Sequence, residues 1–509
     1  MPGDQTVLSV IPPMVYDHAR REPDDLHGRN HVGSGDVTRK EFLRTSLLGA
    51  GSLTLGAGAL TLGAGCAGNR SDAGRPNIIL LVTDDQRADA LGCAGNAIIH
   101  TPNMDSLAAR GVRFSEAFVT TPICAASRAS ILTGLYERTH GYTFTKPPLN
   151  RRLTANSYPV LLREAGYHTG FIGKFGVNLE SDLLEEMFDT HRVTAYPYFT
   201  EVDGERRHLT ELHGDWAVEF LRDRPPDRPF CLSLSFWAPH ADDGSEEQYF
   251  WPPACDELYR NTMIPEPALA DPAFFASLPD FLQQSLNRTR WHWRFDDPQK
   301  YQEMVKGYYR MISGVDLVIG RLMTELERSG AAENTVILFA GDNGYFLGER
   351  GFAGKWLMHD LSLKVPLIVF DPRMRGRNRG AIRSEMVLNI DLPATILDLA
   401  GLPASGAMQG RSLLPLIEGR RPQWRSDIVC EHLWDRSDIP RSECLRTERW
   451  KYIRYLDHPE YEELYDLAED PAESRNLARE TGYATRLQEL RDRLTQRLAA
   501  IENRGENSR

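Results

Sequence analysis

Six positions carry reactive side chains close behind short apolar runs. Asp84 and Asp85 follow NIILLVT at 77–83, Lys174 follows HTGFIG at 168–173, and His240 lies just past FCLSLSF at 230–236. Asp342 and Asn343 come after TVILFA at 335–340 and one glycine. Each alone has an ordinary structural use. An Asp behind a strand caps a helix, Asp-Asn-Gly makes a turn, and a single Lys or His is a surface charge or a satisfied loop histidine. Brought to one place they become three carboxylates, an amide, an ammonium and an imidazole. The carboxylates and the amide offer only hard oxygen donors, which suits Ca²⁺ first and Mg²⁺ second and argues against zinc.

The elements that would bring them together are the apolar runs themselves. With PLIVF at 366–370 they are short and apolar throughout, as strands buried on both faces are. Helical patterns fall between them at 101–110, with Pro102 in the first turn, and at 158–165, 301–327 and 357–363. This alternation predicts an α/β fold, a mainly parallel central sheet sandwiched by helices. In such sheets ligands bind beyond the carboxyl ends of the strands, the edge at which all six residues stand.

The chain has 509 residues, 41% of them hydrophobic, which is enough for one large domain with a satellite or for two domains. Its 59 basic and 71 acidic side chains leave a net charge of -12, and no basic stripe follows the N-terminal segment, so no nucleic-acid partner is expected. Seven cysteines without a CxxC pair make neither a disulfide scaffold nor a zinc site. From Thr45 to Asn69 no residue is charged, and Leu alternates with small residues in a stretch too weakly apolar for a permanent membrane helix. Before it, Thr38-Arg39-Lys40-Glu41-Phe42-Leu43 resembles a twin-arginine export signal with Lys in the second Arg place. At its end, Leu62-Gly63-Ala64-Gly65-Cys66 is similar to a lipoprotein cleavage box whose Leu lies one place early. Residues 1–71 are therefore read as an N-terminal extension and export signal. The expected location is periplasmic or extracellular, and membrane contact is limited to export or a lipid on Cys66, with plain cleavage nearby as the alternative.

The segment Thr121-Pro122-Ile123-Cys124-Ala125-Ala126-Ser127-Arg128-Ala129-Ser130-Ile131-Leu132-Thr133-Gly134 opens a helix on a cysteine and presents an arginine one turn later. A helix N-terminus favours an anion through its free N–H groups and its dipole. Here the chain resembles the sulfatase family, the formylglycine-dependent sulfatases of the alkaline-phosphatase-like superfamily. Their signature is Cys or Ser, any residue, Pro or Ala, Ser, Arg, and a helical turn ending in Thr-Gly. The resemblance spans nearly all of residues 75–480. Arg75-Pro76-Asn77 through Asp85 resembles the opening strand and metal pair, and Gly341-Asp342-Asn343-Gly344 the second metal pair. Phe236-Trp237-Ala238-Pro239-His240 is similar to the segment of the sulfate-binding His, and Gly354-Lys355-Trp356 with Leu363-Lys364-Val365-Pro366 to that of the second Lys. Arg449-Trp450-Lys451-Tyr452, Glu463-Leu464-Tyr465-Asp466-Leu467 and Asp470-Pro471 resemble the closing subdomain. Implied are a catalytic domain over 72–422, a smaller C-terminal α+β subdomain with an antiparallel sheet over 423–500, and a polar tail at 501–509. Two positions depart from the pattern: Ala126 stands where Pro is commonest, and Gly176 stands where Gly-Lys-aromatic is followed by His.

The resemblance implies the chemistry. Cys124 is oxidised to formylglycine by a maturation enzyme, and the hydrated aldehyde is the nucleophile, oriented by Arg128. The metal is held by Asp84, Asp85, Asp342 and Asn343, with the modified Cys124 completing the set. One hydroxyl attacks sulfur in line with the leaving alcohol; the other loses its proton, the aldehyde reforms and sulfate departs. Lys174, Lys355 and His240 neutralise the sulfate oxygens, with His240 or Lys355 protonating the alcohol. The family's His expected to help remove the second hydroxyl proton is missing at Gly176.

Residues 178–213 and 241–297 interrupt the strand–helix alternation and are expected to set specificity. The second carries Tyr249, Phe250, Trp251, Trp291, Trp293 and Phe295, rings that either stack on sugars at a pocket rim or pack as a lid. Segments 120–140 and 170–177 resemble bacterial members that desulfate glycans, N-acetylglucosamine 6-sulfate among them. The expected substrate is a sulfated saccharide bearing a terminal O-sulfate. Two other readings stand beside it, a phosphonate or phosphate ester hydrolase of the same superfamily and a non-catalytic sulfoglycan-binding protein. Gly176 and Ala126 suggest the latter, and every other catalytic-type position opposes it.

Overall fold

The computed structural model describes residues 74–507 apart from Thr145 and Arg375, so the export segment and Cys66 lie outside the described residues. The elements that position the site are β1 (Asn77–Thr83), α1 (Pro102–Arg110), β2 (Val112–Phe114), α2 (Cys124–Thr133), α3 (Tyr158–Glu164), β3 (His168–Gly173) and β4 (Thr190–Val193). They continue with α4 (Leu209–Asp223), β5 (Phe230–Ser235), α5 (Leu286–Arg294), α6 (Pro298–Arg328), β6 (Thr335–Gly341), β7 (Leu367–Phe370), β8 (Ala381–Arg383) and α7 (Asp391–Leu399). The last are β9 (Asp427–His432), β10 (Ser442–Thr447), β11 (Trp450–Tyr455), β12 (Glu462–Asp466) and α8 (Ala484–Asn507).

Eight strands form one sheet in the order β8-β2-β7-β6-β1-β5-β3-β4. From β6 through β4 every pairing is parallel, so β6, β1, β5 and β3 end side by side. Alternation along the strands explains the burial. In β1, Ile78, Leu80 and Val82 enter one apolar core while Ile79 and Leu81 enter the other. On the first face α2 and α7 cover the sheet, with Ala129, Leu132, Leu392 and Ile396 in that core. On the second lies α6, which presents Val305, Tyr308, Ile312, Val315 and Ile319 at helical spacing.

The run at 366–370 differs from its neighbours: β7 is antiparallel to both β6 and β2. A parallel return needs a crossover, usually a helix. The helix expected at 357–363 is only Asp360–Leu363, and the connection instead contains a small hairpin that pairs Phe346 and Leu347 with Gly354 and Ala353.

Strands β9 to β12 form an antiparallel meander, covered by Leu487, Leu490, Leu494 and Leu498 of α8. Ile428, Leu445, Tyr452 and Leu464 of this sheet share one core with β1 and α2. All described residues belong to a single compact unit. Among them no helix is long and apolar enough to cross a membrane.

Candidate active site

The carboxyl ends of β1 and β6 bring two acidic pairs together. Asp85 takes a left-handed backbone at φ 62°, an uncommon state for a residue with a side chain that Asp tolerates better than most. Its N–H donates to Oδ1 of Asp342 at 3.1 Å, and Nδ2 of Asn343 donates to its Oδ1 at 2.6 Å. All four ligand-type residues are buried, Asp84, Asp342 and Asn343 completely. Oδ1 of Asp84, Oδ2 of Asp85 and Oδ1 of Asn343 nevertheless have no hydrogen-bond partner. Buried oxygens left unsatisfied are costly, and three of them on adjacent hard donors fit a divalent cation. Burial, reinforced by the charge of Asp84, pushes the Asp342 carboxyl up to about 7, against the pull of Arg128, Lys355 and Lys174. Asp84 stays ionised: burial disfavours its charge, but Lys174, Lys355, His240 and Arg128 outweigh it.

Cys124 begins α2, which is buried along its whole length and ends on Gly134 at φ 74°. Asn389 pins the helix by donating to Oγ of Ser127 at 2.9 Å. Burial raises the Cys124 thiol above its ordinary value, with Lys174 and Lys355 opposing, so the unmodified side chain is a protonated thiol and a poor nucleophile. One turn on, the Arg128 guanidinium donates to Asp342 at 2.8 Å, to Asp84 at 3.2 Å, to the Lys174 carbonyl at 2.7 Å and to Oγ of Ser235. It thereby ties α2 to the ends of β1, β3, β5 and β6.

Lys174 donates to Asp84, its ammonium 4.2 Å from the centre of the Trp237 ring. Lys355 donates to Asp85 and lies 3.6 Å from Asp84. It comes from the hairpin connection between β6 and β7, held by Asn287 of α5 at 2.9 Å from the Lys355 carbonyl and by the Trp356 N–H at 3.0 Å from Pro122. Burial lowers the ammonium's pKa but Asp85 and its neighbours raise it well above the usual value, keeping Lys355 charged. Nδ1 of His240 is 2.6 Å from the Ala241 carbonyl and 2.7 Å from the Tyr196 hydroxyl, so Nδ1 carries the proton. Nε2 then presents its lone pair 3.7 Å from Asp85. Burial holds this imidazole down at about 4, and Asp84, Asp85 and His240 form a group able to hold a metal ion.

The structure thus gathers every residue expected from the sequence, Asp84, Asp85, Cys124, Arg128, Lys174, His240, Asp342, Asn343 and Lys355, at one sheet edge. It adds Ser235, Trp237 and Tyr196, which hold Arg128, Lys174 and His240. Ser235 and Trp237 lie within motifs already visible, whereas Tyr196 sits in a segment with no distinguishing pattern. The aromatic insertion divides unevenly. Tyr249 and Phe295 are buried in the second core, Phe250, Trp251 and Trp291 pack against it, and Trp293 is 37% exposed. Five of the six rings are therefore packing residues, and Trp293 is the most exposed of them, on an open cavity it shares with Asp243 and Lys300 and with the Arg294 guanidinium 5.7 Å from its ring centre. Gly176 lies against Arg128, which would have to shift to admit any side chain there.

Residues 76–402 match the sulfatase family, and residues 348–500 match the family described as N-sulphoglucosamine sulphohydrolase, C-terminal. The chain is similar to an N-acetylglucosamine-6-O-sulfatase of Bacteroides thetaiotaomicron, 29% identical over 84% of this chain and 87% of that one. It is similar to an arylsulfatase of Clostridium perfringens, 28% identical over 84% of this chain and 95% of that one. Among solved structures it is similar to a protein in complex with its substrate D-glucosamine-2-N,6-O-disulfate, with TM-score 0.72, 26% identity, and coverage of 84% of this chain and 98% of that one.

Proposed function

Because the chain belongs to the sulfatase family and is a sulfatase, we propose that its substrate is a sulfated sugar carrying a terminal O-sulfate on an amino sugar or related glycan unit. The observation that carries the chemistry is the charge arrangement around Cys124. Three carboxylates face three fixed cations, Arg128, Lys174 and Lys355, with three ligand oxygens still unsatisfied. A dication held by Asp84, Asp85, Asp342 and Asn343, Ca²⁺ first and Mg²⁺ second, would polarise a sulfate oxygen as a Lewis acid. It would also leave the pocket net positive, suited to an anionic ester in an otherwise acidic protein. Cys124, oxidised to formylglycine by a maturation enzyme, supplies the nucleophilic hydroxyl beside the α2 amides. Arg128 orients it, and Lys174 and Lys355 neutralise the sulfate oxygens. His240, whose Nδ1–H points at Ala241, offers a lone pair toward the site, so Lys355 is the proton-bearing neighbour of the leaving alcohol.

The saccharide part rests on the similarity to the Bacteroides thetaiotaomicron enzyme and to the glucosamine disulfate complex, with Trp293 as the ring available to a sugar. The export signal and Cys66 support a periplasmic or extracellular site of action, with membrane contact limited to export or a lipid anchor. The test is kcat/KM for mono-sulfated saccharides, simple aryl sulfates and matched aryl phosphates and phosphonates under one set of conditions. A saccharide sulfate should lead. An aryl or alkyl sulfate ahead of every saccharide rejects the glycan substrate, and a phosphonate or phosphate in first place rejects the sulfate ester as the main substrate.

A further inference from the structure

At the far end of α2 lies an open cavity of about 470 Å³ that the sulfatase chemistry leaves unused. Cys124 opens α2 and Tyr136, just past its last residue Thr133, lines this cavity. Ten helical residues rise about 15 Å, which sets this cavity apart from Cys124. Four arginines line the cavity, Arg411, Arg425, Arg497 and Arg504. Arg425 pairs with Asp391 and Arg497 with Asp427, and Asp427 also takes Arg493. Arg425, Arg493 and Arg497 thus share two carboxylates and Arg411 adds a fourth guanidinium beside them, a local positive excess on a chain of net charge -12.

Arg411 makes the imbalance plain. Its guanidinium has no carboxylate within ion-pair distance among the described residues and stands 5.9 Å from the Trp424 ring. Burial first, and then the charge of Arg425, lower its pKa against the pull of Asp391, with Arg504 and Arg497 adding to the repulsion, so like charges crowd here. Guanidinium forks bind planar or tetrahedral oxyanions well, and the Trp424 ring, with Arg425 5.1 Å from its centre, holds two of them side by side.

We propose that this cavity is a second, non-catalytic binding site for a multiply sulfated saccharide. Arg411 and Arg504 hold its sulfates, beside the Trp424 ring that Arg411 and Arg425 flank. The site sits apart from the catalytic edge and would retain a polymeric glycan whose end is being processed.

The test titrates a short dextran sulfate into the matured full-length enzyme and into its Arg411→Ala/Arg504→Ala variant, with unsulfated dextran and polyphosphate as further probes. Removing one charge-assisted hydrogen bond should weaken binding about tenfold, so the double variant should bind dextran sulfate about 100-fold more weakly at low salt. Turnover of a small aryl sulfate and the melting temperature should match the parent. Arg411→Gln, which keeps much of the side-chain length, replaces the double variant if that one melts early. Unsulfated dextran should not bind, and polyphosphate should bind less tightly than dextran sulfate. Equal affinity of parent and variants for dextran sulfate overturns the site, and polyphosphate binding as tightly as dextran sulfate overturns its saccharide character. Neither result bears on sulfate ester hydrolysis, which the aryl sulfate assay reads separately.

Discussion

Placing a side chain at residue 176 should harm this enzyme even where it restores the histidine common in the family. Gly176 has φ 69°, and a Cβ built there would lie 2.8 Å from Cδ of Arg128, 3.5 Å from its Nε and 3.7 Å from Cε of Lys174. The left-handed backbone alone costs a residue other than glycine about 1–2 kcal/mol. The clash adds to it, because Arg128 cannot swing aside freely: its guanidinium is held by Asp342 at 2.8 Å and the Lys174 carbonyl at 2.7 Å. Overpacking of this kind costs about 1–3 kcal/mol, and giving up one charge-assisted hydrogen bond about 1.5–3 kcal/mol. Gly176→Ala should therefore lose about 2–5 kcal/mol of stability, summing the backbone and packing costs. In the proposed mechanism Arg128 also orients the nucleophile, and misplacing a catalytic group by an ångström can cost about 100-fold. A 10- to 100-fold fall in kcat/KM on an aryl sulfate is expected, roughly within that bound. Gly166→Ala is the matching control, since φ there is 92° but nothing lies within 4 Å of the added carbon. It should pay the backbone cost and keep full activity. Gly176→His should do worse than Gly176→Ala. Gly176→Ala melting and turning over like Gly166→Ala, or Gly176→His gaining activity, would show that Arg128 does not crowd this position.

Cys124→Ala should melt with the parent and turn nothing over, while mass spectrometry of the active parent shows formylglycine at 124; full activity with an intact thiol would refute the nucleophile. Ca²⁺ should raise the parent's melting temperature but not that of Asp342→Ala, with about 2.7 kcal/mol of stabilisation at 100 times Kd; activity dependent on stoichiometric zinc would contradict the hard-donor assignment. Burial pushes His140, His213 and His432 down to about 3 from 6.5, so the unfolded chain takes up protons that the folded one refuses. Their part of the stability is intact above pH 6.5 and declines as pH falls from there toward 3, by up to about 4 kcal/mol per pH unit for the three together. A melting temperature that stays flat or rises between pH 6.5 and 5 would refute this. Residues 1–75 fused to a reporter should leave the cytoplasm of a native-like host, and uncharged residues at Arg39 and Lys40 should hold it back; retention of the intact fusion would refute the export reading.

The strands and the reactive residues behind them were legible because both are local properties of the chain. An apolar β-branched run such as 77–83 can satisfy its burial only inside a sheet, and the observed β1 spans those residues. The acidic pairs, Lys174 and His240 follow such runs directly, so the carboxyl edge of a parallel sheet was enough to collect them. Cys124, Ser127 and Arg128 were legible for the same reason, being one turn of one helix. Tertiary structure decided what depended on distant partners. β7 turned antiparallel because residues 342–366 cross the site without a crossover helix, which is also how Lys355 reaches Asp85. Four of the strand ends had to close on Arg128 before its fork was held in place and crowded residue 176. Aromatic content in 241–297 could not separate a sugar platform from a core, since a ring's free face depends on what α6 covers; five rings pack and Trp293 remains. The arginine cluster was invisible in an acidic composition because residues 411, 425, 497 and 504 lie far apart in the chain. Charge density is a property of folded space, and only the packing of α8 beside the start of β9 puts those charges within reach of one ligand.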